Sequence, residues 1–268
     1  MGGVLDSLSP ARRRFVLVLV LLASGAIAAM VVVVALTREP PVEPVAQDQL
    51  GPVLLVPGYG GNTSPLGRLA AALRAGGRDV TVVELAGDGR GDLREQAEVL
   101  ERAVDQAVQR TRSSSVDVIG YSAGGVIARL WVKDFGGDAV ARRVLTLGSP
   151  HHGTDLAGVA SDITPDTCPQ ACLQLSPQSD FMRALNAGDD TPDGPLWISI
   201  WTADDLVVSP PTSARLDGAV NFSLQSVCPR GAELTHSNLP KDASVVAITV
   251  QQLDLSAPRT PPASVCIP

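Results

Sequence analysis

Apolar residues divide the chain into an N-terminal segment and a longer region of alternating patterns. Phe15 to Leu36 form a run of 22 residues without a charged side chain. As a helix this run would extend about 33 Å, enough to cross the hydrocarbon core of a membrane. Beyond Gly51, short apolar runs typical of buried strands alternate with stretches whose apolar residues recur every three or four positions, which is typical of amphipathic helices. The pattern predicts one membrane-length helix followed by a domain of alternating strands and helices.

The pattern of apolar residues after Gly51 predicts a single α/β domain. Its predicted strands are Val53–Val56, Val80–Leu85, Ser115–Ile119, Val140–Leu147, Leu196–Trp201 and Ala219–Leu224. Its predicted helices are Leu66–Ala75, the amphipathic stripe Leu93–Val108, a helix that starts at Val126–Trp131, and Asp242–Leu255. Strands that alternate with helices of this length predict a mostly parallel central sheet with helices on both faces. Residues 153–195 are irregular, and we expect an insertion or a long loop over one end of the sheet.

The charges that flank the apolar run predict its orientation. Three arginines at 12–14 precede it and the balanced pair at 38–39 follows it, so residues 1–14 are expected in the cytoplasm and the rest outside. Residues 15–36 are either an uncleaved signal anchor or a cleavable signal peptide. The apolar stretch of a signal peptide is usually about 7–15 residues, so length favours the anchor. The small residues of Ala26-Ile27-Ala28 offer a cleavage site for the alternative, and both interpretations predict export.

Composition and charge indicate how the exported part is divided and which partners it excludes. Residues 37–50 are rich in proline and predict a semi-rigid linker, after which the catalytic domain occupies residues 51–268. The chain has 21 basic and 28 acidic residues; four of the basic and two of the acidic ones lie in residues 1–40, which leaves 17 and 26, a net charge of −9. Beyond residue 40 no basic cluster exceeds the pair Arg142-Arg143, so we expect no nucleic-acid partner.

The four cysteines, Cys168, Cys172, Cys228 and Cys266, suit an oxidising compartment. No Cys-x-x-Cys spacing or nearby histidine indicates zinc. Four cysteines allow three pairings. Proximity in sequence favours a Cys168–Cys172 bridge, which leaves Cys228–Cys266 as the second. Free, buried thiols are the alternative.

A Gly-x-Ser-x-Gly pattern at Gly120–Gly124 marks a candidate nucleophile. The predicted strand ends just before it and a predicted helix follows from Gly125, which is the strand–turn–helix context in which this pattern presents a reactive serine. We expect a strained backbone at Ser122 that projects its Oγ from the strand end, with glycines preventing collisions around it. A plain glycine-rich turn is the alternative, and partners elsewhere in the chain favour the nucleophile.

Pro57–Gly61 directly follows the first strand of the domain and is a candidate oxyanion loop. Acyl transfer needs two backbone N–H groups aimed at the substrate oxygen. Ala123, the residue after the nucleophile, is one expected donor, and Tyr59 is the other. Glycines on both sides of Tyr59 allow the backbone to approach a ligand closely. An ordinary turn is the alternative for this loop.

A candidate acid and a candidate base follow Ser122 along the chain, in the order serine, acid, histidine. The loop after Leu196–Trp201 contains two carboxylates, of which Asp205 is favoured and Asp204 is the alternative. His236 follows them and precedes the last predicted helix, where it would take the proton of the serine. The only other histidines, at 151–152, are expected to shape the rim of the site or to hydrogen-bond within their loop. Metal binding by this adjacent pair is the less favoured alternative.

These motifs resemble those of exported actinobacterial triacylglycerol lipases and esterases of the α/β-hydrolase superfamily, and the chain is also similar to the small lidless bacterial lipases. The resembling segments, spread over most of residues 51–255, are Val53–Gly61, Val116–Arg129, Leu145–Thr154, Ile200–Val208, Leu216–Phe222 and His236–Leu253. The Leu-Gly-Ser-Pro-His-His-Gly-Thr sequence at 147–154 is lipase-like in its own right. Pro57 departs from the family pattern, in which a histidine often precedes the glycine and supports the loop.

The resemblance implies a compact, lipase-like α/β-hydrolase fold. It implies Ser122 as the nucleophile, Asp205 as the acid and His236 as the base. It also implies an oxyanion hole formed by the backbone of Tyr59 and Ala123.

We therefore expect a monomeric serine hydrolase that cleaves carboxylic esters of lipids through an acyl-enzyme and needs no metal or organic cofactor. Its expected partners are an ester substrate and, through the N-terminal segment, a membrane. The aromatic residues Tyr59, Tyr121 and Trp201 are candidates to line an acyl pocket. The alternatives are an acyltransferase or thioesterase on lipid or cell-envelope substrates, and a catalytically inactive, membrane-tethered binding protein.

Overall fold

The computed structural model describes residues 9–37, 42–163, 167–229 and 234–267. The chain divides after Pro41 into two compact units. The first contains the helix α1 (Pro10–Thr37), on which apolar side chains such as Phe15 and Leu21 are exposed. Over Pro10–Met30 this helix is long and apolar enough to cross a membrane. An exposed apolar helix near an N-terminus is typical of a signal sequence or an anchor.

The second unit contains a six-stranded sheet whose described strands are all parallel. The strands are β1 (Val53–Val56), β2 (Val80–Val82), β3 (Val116–Tyr121), β4 (Ala141–Leu147), β5 (Leu196–Trp201) and β6 (Val220–Ser223). Their order across the sheet is β2-β1-β3-β4-β5-β6. The helices of this unit are α2 (Gly67–Ala75), α3 (Leu93–Thr111), α4 (Ala123–Asp134), α5 (Asp155–Ile163), α6 (Gln170–Gln174), α7 (Asp180–Leu185), α8 (Leu224–Val227) and α9 (Ala243–Gln252).

Helices cover both faces of the sheet, as the alternating pattern predicts. On β1, Leu54 and Val56 belong to the core that α3 and α4 close. Val53 and Leu55 point to the opposite core, which α2 and α9 close. All four side chains are fully buried, which explains why this strand is continuously apolar rather than alternating.

Two parts of the predicted secondary structure differ from the structure. The strand predicted over Val80–Leu85 ends at Val82, since its neighbour β1 already ends at Val56. Residues 153–195, expected to be irregular, contain the three short helices α5, α6 and α7. These helices have only 9, 5 and 6 residues, too few for an apolar period to stand out.

A buried ion cluster joins the sheet to the last helix. It lies at the amino-terminal ends of β3 and β4, whereas Ser122 follows the carboxyl-terminal end of β3. Asp117 accepts hydrogen bonds from Arg78 (2.6 Å) and Arg142 (2.6 and 2.9 Å). Arg142 also donates to the carbonyl oxygen of Leu253 at 2.7 Å. It donates further to the carbonyl oxygen of Gln47 at 3.2 Å, so this residue of the predicted linker already contacts the folded unit.

Both cysteine pairs favoured by the sequence are disulfide bridges in the structure. Cys168 is joined to Cys172 at the start of α6, and Cys228 is joined to Cys266 near the C-terminus. The four cysteines leave no free thiol. Two bridges are consistent with export to an oxidising compartment.

Candidate active site

Ser122 lies in the sharp turn between β3 and α4. Its φ of 54° and ψ of −128° place a non-glycine residue in a region of high backbone energy, so the surrounding structure must hold it there. A Cβ on Gly120 would collide with the backbone of Gly125, and one on Gly124 would collide with the carbonyl oxygen of Val56. The glycines of the pattern are therefore required by close packing of the turn against its neighbours.

One chain of hydrogen bonds joins the predicted nucleophile, base and acid. His236 Nε2 lies 3.0 Å from Ser122 Oγ, and His236 Nδ1 lies 2.7 Å from Asp205 Oδ2. His236 and Asp205 are both buried. Asp204 is exposed, and its Oδ2 instead accepts a hydrogen bond from Gln225 Nε2 at 3.0 Å. A base within hydrogen-bond reach of a serine, itself oriented by a third group, is the arrangement that activates a nucleophile.

The carboxylate of Asp205 is fixed by its own loop. Its Oδ1 accepts hydrogen bonds from the backbone N–H groups of Val207 at 2.9 Å and Val208 at 2.8 Å. These two donors leave Oδ2 free to accept from the imidazole of His236. The acid is therefore oriented by backbone donors that follow it directly in sequence.

Several contacts that the sequence analysis did not foresee hold the histidine in place. Tyr121 Oη donates to the carbonyl oxygen of His236 at 3.2 Å, and the two rings are 5.2 Å apart. Burial, with a smaller contribution from the charge of Asp205, raises the pKa of Tyr121 to about 12, so its phenol stays protonated as a donor. Thr202 Oγ1 donates to the carbonyl oxygen of Leu234 at 2.6 Å and joins the acid loop to the histidine loop.

Gly148 provides space behind the acid and the base. A Cβ on this residue would lie 3.3 Å from Asp205 Oδ2 and 3.4 Å from His236 Nδ1. Its φ of 55° also favours glycine. The Gly-Ser-Pro sequence after β4 offered a signal for this residue, since a glycine at a strand end often marks a close approach of the backbone.

The loop after β1 lies against the nucleophile. A Cβ on Gly58 would be 2.9 Å from Ser122 Cβ, so the loop backbone is in van der Waals contact with the serine. Among the described residues, the N–H groups of Tyr59 and Ala123 donate to no protein acceptor. Ala123 opens α4, where the first N–H groups of a helix have no partner within it. The two backbone N–H groups predicted as oxyanion donors therefore lie close to Ser122, and both are available to donate to a ligand.

An apolar pocket of about 190 Å³ opens beside Ser122. Its wall is formed by side chains that include Pro150, Leu156, Ala157, Ala160, Leu175 and Val208. Of the three aromatic residues expected in an acyl pocket, only Tyr59 lines it. That prediction is wrong for Tyr121, which packs against His236, and for Trp201, whose ring contacts Arg215 at 5.9 Å.

The mouth of the pocket exposes several apolar side chains. Leu156, which lines the pocket, is 57% exposed, and Leu206, which precedes the lining residue Val207, is 87% exposed. Tyr59 and Val207 are also exposed, by 40% and 39%. An apolar rim around a cleft is a feature of surfaces that bind apolar partners or aggregates.

The histidine pair at 151–152 makes hydrogen bonds beside the site. His151 is buried and its Nε2 lies 3.1 Å from Thr146 Oγ1; burial lowers its pKa well below the usual value. His152 Nε2 lies 3.0 Å from the carbonyl oxygen of Arg215. In the part of the chain that the structure describes, no three His, Cys, Asp or Glu side chains are grouped so as to hold a metal ion.

Comparisons with known proteins show what the fold is similar to. The family model described as a PGAP1-like alpha/beta domain matches residues 78–161. No curated protein matches the sequence. Lipase B of Aspergillus fumigatus is similar in structure, with a TM-score of 0.62 and 20% identity over 80% of this chain and 55% of that one.

The lipase BlEst2 of Bacillus licheniformis is similar in two forms. In its propeptide form the TM-score is 0.64, at 19% identity over 83% of this chain and 54% of that one. In its mature form the TM-score is 0.56, at 18% identity over 76% of this chain and 91% of that one. The chain spans about half the length of the fungal lipase and of the propeptide form. The likeness shows that this protein has an α/β-hydrolase fold, with a six-stranded parallel sheet and flanking helices.

Proposed function

We propose that this protein is an exported serine hydrolase of carboxylic esters, of the lipase or esterase kind. Ser122 is the nucleophile, His236 is the general base and Asp205 is the acid that orients it. The observation that carries the proposal is the unbroken contact from Asp205 through His236 to Ser122, at 2.7 and 3.0 Å, beside an apolar pocket.

Each group has a defined part in the reaction. His236 Nε2 takes the proton of Ser122 Oγ as the oxygen attacks the ester carbonyl carbon. The negative charge that develops on the carbonyl oxygen is stabilised by the N–H groups of Tyr59 and Ala123. The protonated imidazole, stabilised by Asp205, then gives its proton to the leaving alkoxide, which departs as an alcohol. Water deprotonated by His236 then attacks the carbonyl carbon of the acyl-enzyme. The bond to Ser122 Oγ breaks, His236 returns the proton to Ser122 Oγ, and the carboxylic acid product leaves.

The test is a Ser122→Ala variant assayed with p-nitrophenyl butyrate and with a fluorophosphonate probe. We expect loss of turnover and of labelling, since no other group supplies the attacking oxygen, while circular dichroism stays unchanged. Ser64→Ala, which alters an exposed serine, is the matched control and should retain both. Unchanged turnover in Ser122→Ala would refute the proposal, and absence of labelling in the wild type would favour the inactive binding protein.

Product analysis separates hydrolysis from acyl transfer at the same site. The pocket opens to solvent between exposed side chains such as Leu156 and Val207, which favours water as the acceptor. With an added alcohol or glycerol in excess, we expect the free fatty acid as the main product. A dominant transfer product would identify the protein as an acyltransferase, and preference for thioesters over oxygen esters would identify a thioesterase.

We further propose that residues 15–36 are an uncleaved signal anchor with the catalytic domain, residues 51–268, outside the cell. The length and apolar surface of α1 support the anchor over a shorter signal peptide. Mass spectrometry of the protein from membrane and medium fractions tests this. An intact N-terminus in the membrane fraction is expected, whereas a soluble form that begins after Ala28 would show cleavage.

A further inference from the structure

We propose that the pocket beside Ser122 binds the acyl chain of the ester, and that Ala157 and Leu175 limit the length of chain that it accepts. The inference rests on the proposed esterase function and specifies its substrate class. It is argued from the volume of the pocket, the chemistry of its wall and the burial of its inner side chains.

The volume of the pocket limits the length of chain that it can hold. The cavity measures about 190 Å³. This is below the range of roughly 300–1,000 Å³ that is usual for ligand pockets. The pocket is therefore expected to favour acyl chains that are shorter than those of long-chain lipids.

The wall of the pocket suits an alkyl chain and no polar acyl group. Besides Ser122, the hydroxyl groups of its wall belong to Tyr59, which is 40% exposed, and to Thr154, whose hydroxyl is already engaged. Its Oγ1 donates to the carbonyl oxygen of Val207 at 2.7 Å and accepts from the N–H of Ser209 at 3.1 Å. A hydroxylated or charged acyl group would lose its hydration here and find no partner, which disfavours such substrates.

Burial separates the inner end of the pocket from its mouth. Leu175 and Ala157 are 6% and 8% exposed and belong to the core beneath α3 and α4. Leu156 and Val207, which line the same pocket, are exposed. A chain that has filled the space against the inner pair can only continue past the mouth, where further carbons gain little from burial.

The inner wall is held in place by contacts to the start of α3. Gln174, which precedes Leu175, accepts a hydrogen bond from the N–H of Leu93 at 2.8 Å and donates to Asp92 Oδ1 at 2.7 Å. The disulfide of Cys172, a lining residue, closes the same short helix. Moving the backbone at Leu175 outward would break these contacts, so in the wild type the length limit is a property of the folded wall.

The test is the acyl-length profile of p-nitrophenyl esters from acetate to palmitate, measured below their solubility limits. We expect kcat/KM to rise about fourfold with each buried methylene up to an intermediate chain length, and to rise no further beyond. Leu175→Ala removes three carbons from the wall and should move the maximum to longer chains. Ala157→Leu adds three and should move the maximum to shorter chains.

Two control variants test whether these shifts come from the pocket. Leu185→Ala truncates another buried leucine of the same core, and Ala184→Leu enlarges an exposed alanine; neither residue lines the pocket, so both should keep the wild-type profile. Should Ala157→Leu fail to fold, the shift in Leu175→Ala decides alone.

The possible outcomes distinguish the inference from the proposed function. No ester turnover together with no fluorophosphonate labelling of the wild type would overturn both. Turnover and labelling with a profile that rises steadily to palmitate, or that the two lining variants leave unmoved, would overturn the length limit and leave the hydrolase intact.

Discussion

Asp205→Asn is the sharpest test of how the acid acts, because the structure dictates how the new amide must sit. The amide oxygen replaces Oδ1 and keeps the hydrogen bonds from the N–H groups of Val207 and Val208. The amide nitrogen then occupies the place of Oδ2, 2.7 Å from His236 Nδ1, and donates to it. This forces the tautomer in which Nε2 carries the proton, so the imidazole faces Ser122 as a donor and cannot accept the proton of the serine.

The expected loss follows from the cost of turning the amide over. The flipped amide would lose two hydrogen bonds worth about 1 kcal/mol each and would leave a buried donor facing two others, for about 1–3 kcal/mol more. A preference of about 3 kcal/mol keeps the competent orientation below about 1% of molecules, at 1.4 kcal/mol per tenfold change. The loss of the negative charge beside the imidazolium of His236 adds to this. We expect kcat to fall about 10³-fold, comparable to the ~10⁴-fold effect of the same change in serine protease triads.

Steady-state kinetics on a soluble ester, with the active sites counted by fluorophosphonate titration, measures this loss. Asp204→Asn is the matched control, since that carboxylate is exposed and contacts Gln225 rather than the base. It should change kcat less than twofold. A variant Asp205→Asn that keeps more than a tenth of the wild-type kcat, or an equal loss in both variants, would refute the tautomer explanation.

Three further changes probe other parts of the same structure. Gly148→Ala should lower kcat at least tenfold, because its Cβ would lie 3.3 Å from the acid oxygen, whereas Gly188→Ala, at a φ of 87° with nothing within 4 Å of its Cβ, should affect stability alone. Leu206→Ser should reduce turnover of emulsified tributyrin several-fold and leave soluble esters unaffected, since this side chain is 87% exposed and precedes Val207, which lines the pocket. If Leu206→Ser changed the turnover of emulsified and soluble esters to the same extent, Leu206 would have no part in binding lipid aggregates. Serine at both Cys228 and Cys266, which opens a bridge of sequence separation 38, should lower the free energy of unfolding by about 4 kcal/mol in urea titration.

The sheet and the candidate catalytic loops were predictable from the sequence for local reasons. A strand buried on both faces is continuously apolar, so β1 was recognisable from its four consecutive apolar residues. The turn around Ser122 was predictable because its glycines and the strand before it are adjacent in the chain, and the structure has Ser122 at a φ of 54°. The preference for Asp205 over Asp204 also has a local basis, the Asp-x-Val-Val sequence. In the structure the backbone N–H groups of Val207 and Val208 donate to Asp205 Oδ1.

What the sequence did not predict depends on contacts between distant segments. The helices α5–α7 were missed because each is short and is stabilised from outside, as when Gln174 joins α6 to the start of α3. The positions of Tyr121 and Trp201 could not be derived from their closeness to the catalytic loops. Successive residues of a strand point to opposite faces, and which face meets the pocket is decided by helices that lie elsewhere in the sequence.

The geometry around His236 shows how a loop residue acquires the precision that catalysis requires. His236 begins a short 3₁₀ helix, and it lies 31 residues from the acid and 114 from the serine that it contacts. Neither separation fixes a distance, so the imidazole depends on contacts made by the strand ends. Tyr121 holds the carbonyl oxygen of His236, and Thr202 holds that of Leu234, from the ends of β3 and β5. Because both anchors lie at the ends of strands, the sheet contributes to holding the imidazole of the proposed base next to Ser122.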